Sequence, residues 1–366
     1  MTHCLSAKRC RALCTHFVIT GIAIHNMTKE KTTKFLFLTT YSNESLIEKT
    51  MLHCLKQGIE VVRVNIEDFV PHQNSNLRLA ILDHDVRLTV GTKQHWLSEF
   101  AVIWKRRISN NFLSPARMFS DYGNSVNSEI KTKLIAEIYE ARDLLLHFAV
   151  HLKIPVINNF DPACFNKPFQ SIKAAQFGLQ TPSVLVSNSM VEINSFVSNS
   201  PSITKPLGGF GYMSDNSHIM SVRTTRVDEQ YTEDISAEVV FPSFLQQRIK
   251  SKYELKCILV GDQLYCVKQY SVEGGDIPTT DIKQAIVEKR IKKVQYQLKT
   301  EVADKVVKLC KSYKLDLCTM DIIYSDEAGY TFIEINPDGV VEYYGSYLDR
   351  PIHERIFSLL KQTAGV

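Results

Sequence analysis

Residues 34–40, KFLFLTT, form an apolar run closed by two threonines and predict a buried strand. The polar stretch that follows carries Leu46, Met51 and Leu55 at helical spacing, and Gly58 stops that helix. IEVVRVNIEDF, at 59–69, predicts a second strand, so the chain opens as β-α-β, the signature of a small parallel sheet. A further strand, FAVIWKRRI at 100–108, ends in three cations, Lys105, Arg106 and Arg107. Apolar residues at Ile130, Leu134, Ile138, Leu145, Phe148 and Leu152 predict a long amphipathic helix. PVINN then closes a first domain near Asn159.

In the second part a helix ends at Gly178, and Pro182 leads into a strand. SITKPLGGFGY, at 202–212, reads as a strand running into a glycine loop. Residues 241–270 predict two or three strands joined by turns at Ser251-Lys252 and Gly261-Asp262. A lysine-rich stretch, roughly 281–313, is predicted helical. CTMDIIYSDEAGYTFIEIN, at 318–336, predicts a hairpin, and residues 351–360 a final helix. No internal repeat or low-complexity segment is visible.

A chain of 366 residues can bury a good core in two or three domains. Its 44% hydrophobic and 22% charged residues are ordinary for a soluble globular protein. A net charge of +4 argues for neither nucleic acid nor an anionic membrane as partner. The cysteines number nine, none in a Cys-x-x-Cys pair, which suits a reducing cytoplasm better than a disulfide framework. These cysteines and the eleven histidines show no metal-ligand spacing and read as core or surface. At the N-terminus Lys8, Arg9 and Arg11 precede a short apolar run at 17–24, too short to span a bilayer. No small-residue cleavage site follows it. Residues 1–30 are expected to be a poorly ordered extension, with Met27 a second possible start.

Three constellations carry chemistry. In YTFIEIN the alternation of a strand puts Glu334 and Asn336 on one face with Phe332, and Ile333 and Ile335 on the other. Asp321 sits in the preceding strand. Opposite register would bring its Cβ within about 5.5 Å of that of Glu334. Two such carboxylates repel unless a cation intervenes, and Mg²⁺ is a fitting one; a polar strand end facing water is the plain alternative. The second constellation is Lys205, followed by glycines 208, 209 and 211, which can form an anion-binding nest with a cation at its rim. A glycine turn without a ligand reads equally well. In the third, LQQRIKSKYELK, a strand edge could offer backbone groups to a base and Glu254 could accept from hydroxyls; alone it is an ordinary hairpin.

In this order Lys167, Lys205 with its glycines, the segment from Gln246 to Glu254, Asp321 and Glu334-Ile335-Asn336-Pro337 resemble the ATP-grasp superfamily over roughly 159–366. The resemblance is closest to the microviridin-type peptide ligases, or graspetide synthetases, whose pre-ATP-grasp domain the opening strands and VIWKRRI also resemble. It implies an α/β (α+β) ATP-grasp fold with an N-terminal parallel-sheet domain at 31–159 and the ATP-grasp domain at 160–366. By position, Lys167 and Lys205 would hold ATP phosphates beside Gly208 and Gly209. Gln246, Gln247, Arg248 and Ile249 would form the adenine hinge, and Glu254 would bind ribose. Asp321, Glu334 and Asn336 would bind two Mg²⁺, while Lys205 and Lys256 would offset charge developing in transfer. The chain departs from these relatives in carrying Lys256 where they commonly have arginine, in lacking an arginine in SVEGGDIPTTDIKQ, and in VVEYYG where they are tryptophan-rich.

The activity implied is ATP-dependent joining of a carboxylate to an amine or alcohol through an acyl phosphate. The substrate would be a ribosomally made precursor peptide whose leader docks on the lysine-rich region between Lys283 and Lys299. The reading admits a homodimer and involves no nucleic acid or membrane. Three alternatives stand beside it: a ligase that adds amino acids to a protein or joins small molecules, a nucleotide-binding module that no longer catalyses, and an unrelated α/β binding protein, which would require all five matched segments to be chance.

Overall fold

The computed structural model describes residues 33–40, 44–70, 77–82, 84–108, 127–161, 165–207, 213–214, 219–220, 224–233, 235–277 and 282–366. The expected N-terminal extension and the glycines 208, 209 and 211 lie outside these.

Strand β1 (Lys34–Thr39) is followed by helix α1 (Ser45–Lys56) and strand β2 (Glu60–Asn65), as the apolar pattern predicts. Gly58, at φ 76°, turns the chain between them, in a conformation that costs a side-chain-bearing residue more. Three antiparallel strands come next, β3 (Leu77–Leu82), β4 (Asp85–Val90) and β5 (Lys93–Trp96), and then β6 (Val102–Lys105). Helix α2 (Ser128–His151) leads to β7 (Val156–Ile157). The order β2-β1-β6-β7 makes a wholly parallel sheet. Both of its faces are covered, which is why β1 is apolar without alternation. Leu36 and Leu38 pack toward Leu145 and Ala149 of α2, while Phe35 and Phe37 pack with Leu46 and Ile47 of α1.

Beyond it lie α3 (Lys167–Gln176), β8 (Val184–Ser189), α4 (Met190–Asn199), β9 (Ser202–Thr204), the short strands β10 (Met213–Ser214) and β11 (Ile219–Met220), and β12 (Thr225–Val227). A short helix α5 (Glu229–Glu233) precedes β13 (Val239–Gln247). Strands β12-β9-β13-β8 form a small antiparallel sheet over Met190, Ile193, Val197 and Leu245.

The remaining elements are β14 (Tyr253–Val260), β15 (Gln263–Ser271), α6 (Ile282–Val287), β16 (Ile291–Tyr296), α7 (Thr300–Ser312), β17 (Leu317–Ser325), β18 (Gly329–Asn336), α8 (Val341–Gly345) and α9 (Ile352–Ala364). A five-stranded antiparallel sheet runs β16-β15-β14-β17-β18. One face rests on α7 through Leu255, Cys257, Leu309 and Met320. The lower part of the other face, Ile258 and Val260, shares a core with the parallel sheet and with Ile356 and Leu360 of α9.

Two expectations are corrected here. The turn at Ser251-Lys252 closes no hairpin, because β13 belongs to the small sheet and β14 to the large one, so residues 248–252 join two sheets. The lysine-rich stretch is not all helical. IKKVQY forms the edge strand β16, paired to β15, and edge-strand lysines discourage further pairing while mimicking a solvated helix face in sequence. The three-stranded meander was unforeseen. The cysteines described, Cys54, Cys257, Cys266, Cys310 and Cys318, are buried free thiols. Among the described residues no helix is long and apolar enough to cross a membrane.

Candidate active site

In the middle of the large sheet, Lys256 of β14 lies opposite Asp321 of β17, and Asp321 lies opposite Glu334 of β18. Asn336 pairs with Thr319 one step along. The expected opposition of the two carboxylates is therefore present. Its local cause differs from simple alternation. Asp321 faces Glu334, yet Ile322 faces Phe332, so Ile333 is one residue in excess and the strand bulges there. The bulge breaks the period of two. Phe332 joins Met320, Ile322 and Ile335 in the core, while Glu334 and Asn336 take the other face. The expectation that Phe332 shares the face of Glu334 is thus corrected.

Each carboxylate meets a lysine. Lys256 forms an ion pair with Asp321, and the Nζ of Lys205 stands 3.7 Å from Glu334. Lys205 reaches in from the end of β9 in the small sheet, over the Phe244 ring. Lys167, at the start of α3, donates to the Pro206 carbonyl at 3.2 Å, beside Lys205. Burial pulls the pKa of Lys205 below the usual lysine range, against the attraction of Glu334, and the charge of Lys167 pulls in the same direction as burial. Burial also acts to lower Lys256, but the Asp321 carboxylate outweighs it and holds that lysine above its ordinary value. Burial pushes Tyr344, whose ring lies 5.4 Å below the Lys256 Nζ, up to about 12. Lys167, Lys205, Asp321 and Glu334, expected for phosphate and metal binding, and Lys256, expected to offset developing charge, are thus brought together.

The same face carries Glu254 on β14 opposite Gln269 on β15. Gln269 is buried, and its Oε1 has no hydrogen-bond partner among the described residues. Gln246 is buried on β13 with its Nε2 likewise without a partner. An unmade hydrogen bond of this kind costs about 1–3 kcal/mol, which a ligand between the sheets would recover. The hinge expectation needs one refinement. Up to Gln247, β13 is bonded to β8 and β9 on both sides, and the amides of Gln247 and Arg248 donate to Ser183 and Pro201. The chain leaves the sheet after Gln247, at Arg248 and Ile249.

Several supporting residues had no sequence signal. Gln170 on α3 is buried and spans the backbone of Ile335, accepting from its amide at 2.8 Å and donating to its carbonyl. It pins α3, and with it Lys167, to the strand that carries Glu334. Gly339 lets the loop after Asn336 close on the sheet, since a Cβ there would stand 1.9 Å from the Thr319 hydroxyl. The three cations at the end of β6 reach the same loop. Arg106 donates to the Gly339 carbonyl at 2.9 Å and to Glu44 at 2.9 Å. Arg107 turns at φ 56° and gives its amide to the Asp338 carboxylate. Only the cationic cluster itself was readable beforehand.

Burial pushes the third of these cations, Lys105, down to about 8; Arg142 adds to this, and Asp338 and Asp143 oppose it. Unfolded, a lysine keeps its proton to about pH 10.4. Between these values the unfolded chain binds more protons, so stability rises with pH through that window. Lys105→Met is expected to raise stability at pH 7 by about 1 kcal/mol or more, the gain found when buried charges are replaced by apolar groups. The gain should shrink to nothing as pH climbs from 8 to 10.5, which urea midpoints across that range would check.

No protein-family model matches the chain, nor does any curated protein. Solved structures do. The macrocyclase MdnC from Microcystis aeruginosa MRC, bound with precursor peptide MdnA, superposes with a TM-score of 0.73 at 21% identity, over 90% of this chain and 99% of that one. A Chryseobacterium gregarium RiPP-associated ATP-grasp ligase, in complex with ADP and a leader and core peptide, gives 0.73 at 22% identity, over 90% and 97%. The ATP-grasp ligase PsnB, complexed with minimal precursor, Mg and ADP, gives 0.67 at 15% identity, over 90% and 98%. These likenesses establish the expected ATP-grasp fold, with the parallel sheet at its N-terminal side.

Proposed function

We propose that this chain is an ATP-dependent ligase that activates a side-chain carboxylate of a precursor peptide and joins it to an amine or alcohol of the same peptide. The observation that carries the proposal is the Lys256–Asp321–Glu334–Lys205 row, which spans the large and small sheets. Similar chains were crystallised with ADP, Mg and precursor peptides, which supports the same ligands here.

The donor set fits hard cations: Asp321, Glu334 and Asn336 offer oxygens on one sheet face. They would hold two Mg²⁺, which would supply positive charge to offset the negative charge of the phosphate oxygens. Lys205 and Lys167 hold the phosphates from the small-sheet side, and Lys256 stays cationic while negative charge shifts to the leaving oxygen. Gln246 and Gln269 offer their unpartnered atoms to the base and sugar, near Glu254. A substrate carboxylate attacks the γ-phosphorus, giving an acyl phosphate and ADP. An amine or hydroxyl then attacks the acyl carbon and phosphate leaves, so each crosslink removes one water from the peptide. Positioning and charge neutralisation suffice, and no nucleophilic side chain of the protein is required. The leader would dock against the edge strand β16 rather than a lysine-rich helix face.

The test is mass spectrometry of a candidate precursor rich in Asp, Glu, Ser, Thr and Lys, incubated with the protein, ATP and Mg²⁺. Loss of one water per crosslink supports the proposal; a mass gain would mean addition of a free amino acid, and ATP binding without turnover would mean an inactive module. Lys205→Ala is expected to weaken ATP binding about 10- to 100-fold, the equivalent of the ~1.5–3 kcal/mol of a hydrogen bond to a charged group. Calorimetry would check this, and unchanged affinity would remove Lys205 from the site.

A further inference from the structure

Helices α1 and α9 pack together over the shared core, and each brings a histidine to their contact. His53 lies in the last turn of α1, and His353 and Glu354 in the first turn of α9. The two imidazole rings stand 5.8 Å apart between centroids, and His53 tilts onto Phe357 at 4.6 Å. One ligand atom from each of His53, His353 and Glu354 lies within 4.8 Å of the other two, and all three residues are half-buried.

We propose that His53, His353 and Glu354 bind a borderline divalent transition ion, with Zn²⁺ the best match, as a structural clip between α1 and α9. The argument rests on donor type, geometry and surroundings. Two imidazoles and a carboxylate suit Zn²⁺ and disfavour Mg²⁺ and Ca²⁺, which take oxygen donors. Bonds of about 2.0–2.1 Å in a tetrahedron place ligand atoms about 3.4 Å apart, so small side-chain rotations close the present triangle. Three protein ligands leave a fourth position, which water can fill. Besides one another, the charged groups that act on His353 are Lys49 on α1 and Glu342 on α8, and Glu342 is itself held by Ser45 and Lys49. Arg350 also contacts Glu354, at 3.7 Å, but the arginine is largely exposed, and so solvent-screened a pair yields to a metal. The residues are 300 positions apart in sequence, so no motif spacing could have announced them. They sit half-buried where α1 and α9 meet over one apolar core, which fixes their approach. The site is separate from the carboxylate pair on the large sheet and stands whether or not that pair handles ATP.

The experiment titrates tag-free, chelator-treated full-length protein with ZnCl₂ against a chromogenic zinc chelator, and with CoCl₂ followed by visible absorption. The expected results are one equivalent of Zn²⁺ bound at micromolar protein, Co²⁺ bands of four-coordinate intensity, and a higher melting temperature with Zn²⁺. His53→Ala and His353→Gln should each lower Zn²⁺ affinity at least ~10-fold and abolish the thermal shift, since each removes a ligand. His147→Ala, on α2, should leave both unchanged. Circular dichroism screens the variants for folding; should His53→Ala not fold, His353→Gln decides. No zinc uptake by the wild-type protein, or equal uptake by His353→Gln, would overturn the proposal.

Discussion

Asp321→Asn is expected to lower ATP turnover at least ~10³-fold, as when a charged group at the reacting centre is lost, while the protein stays folded. Asp321 lies opposite both Lys256 and Glu334, so the substitution removes the anionic charge offered to a cation and breaks an ion pair at once. The two effects separate by their physics. Lys256 keeps only 18% of its side chain exposed, so leaving it without Asp321 destabilises; Asp321 itself is 30% exposed, and solvent screens part of that cost. Adding Lys256→Met to Asp321→Asn should therefore recover urea resistance without recovering turnover. ADP release with a peptide acceptor and urea midpoints measure the two quantities. Turnover within tenfold of wild type in Asp321→Asn would contradict the ligand role.

The largest loss of stability is expected from Glu44→Ala, about 3–5 kcal/mol, the usual cost of stranding a buried charge. Glu44 is 2% exposed and Arg106 3% exposed, and Arg107 contacts the same carboxylate. Truncation leaves two guanidinium groups facing each other without their anion. Arg106 also holds the Gly339 carbonyl, so the loop that follows Asn336 should loosen with it. Glu44→Gln retains an acceptor and should lose less. Equilibrium urea unfolding orders the two; equal stability of Glu44→Ala and wild type would mean that the arginines are held by other means.

Much of this was readable beforehand, and the failures have physical reasons. Asp321, Glu334 and Lys256 stand out because charged residues interrupt otherwise apolar strands; the hairpin turn at residues 326–328 brings the two acids near each other, and the bulge at Ile333, which had no sequence signal, sets them opposite. The strand β16 was misread because lysines serve a sheet edge and a helix face alike. The meander at 77–96 was missed although Val86, Leu88 and Val90 alternate with Arg87 and Thr89 and Gly91 marks a turn, because its strands are short. Gln170, Gly339 and the histidine pair were not legible, because their partners lie 165, 20 and 300 positions away and only the folded chain joins them.

Ile333 bears on how this hairpin is compared with others. Because it is the surplus residue of β18, deleting it would leave Phe332 inside and Glu334 outside, as they are now. Two chains can therefore carry the same pair of acids with one or no residue between aromatic and glutamate. An alignment that forbids a gap at that point would score them as unrelated precisely where they agree in three dimensions.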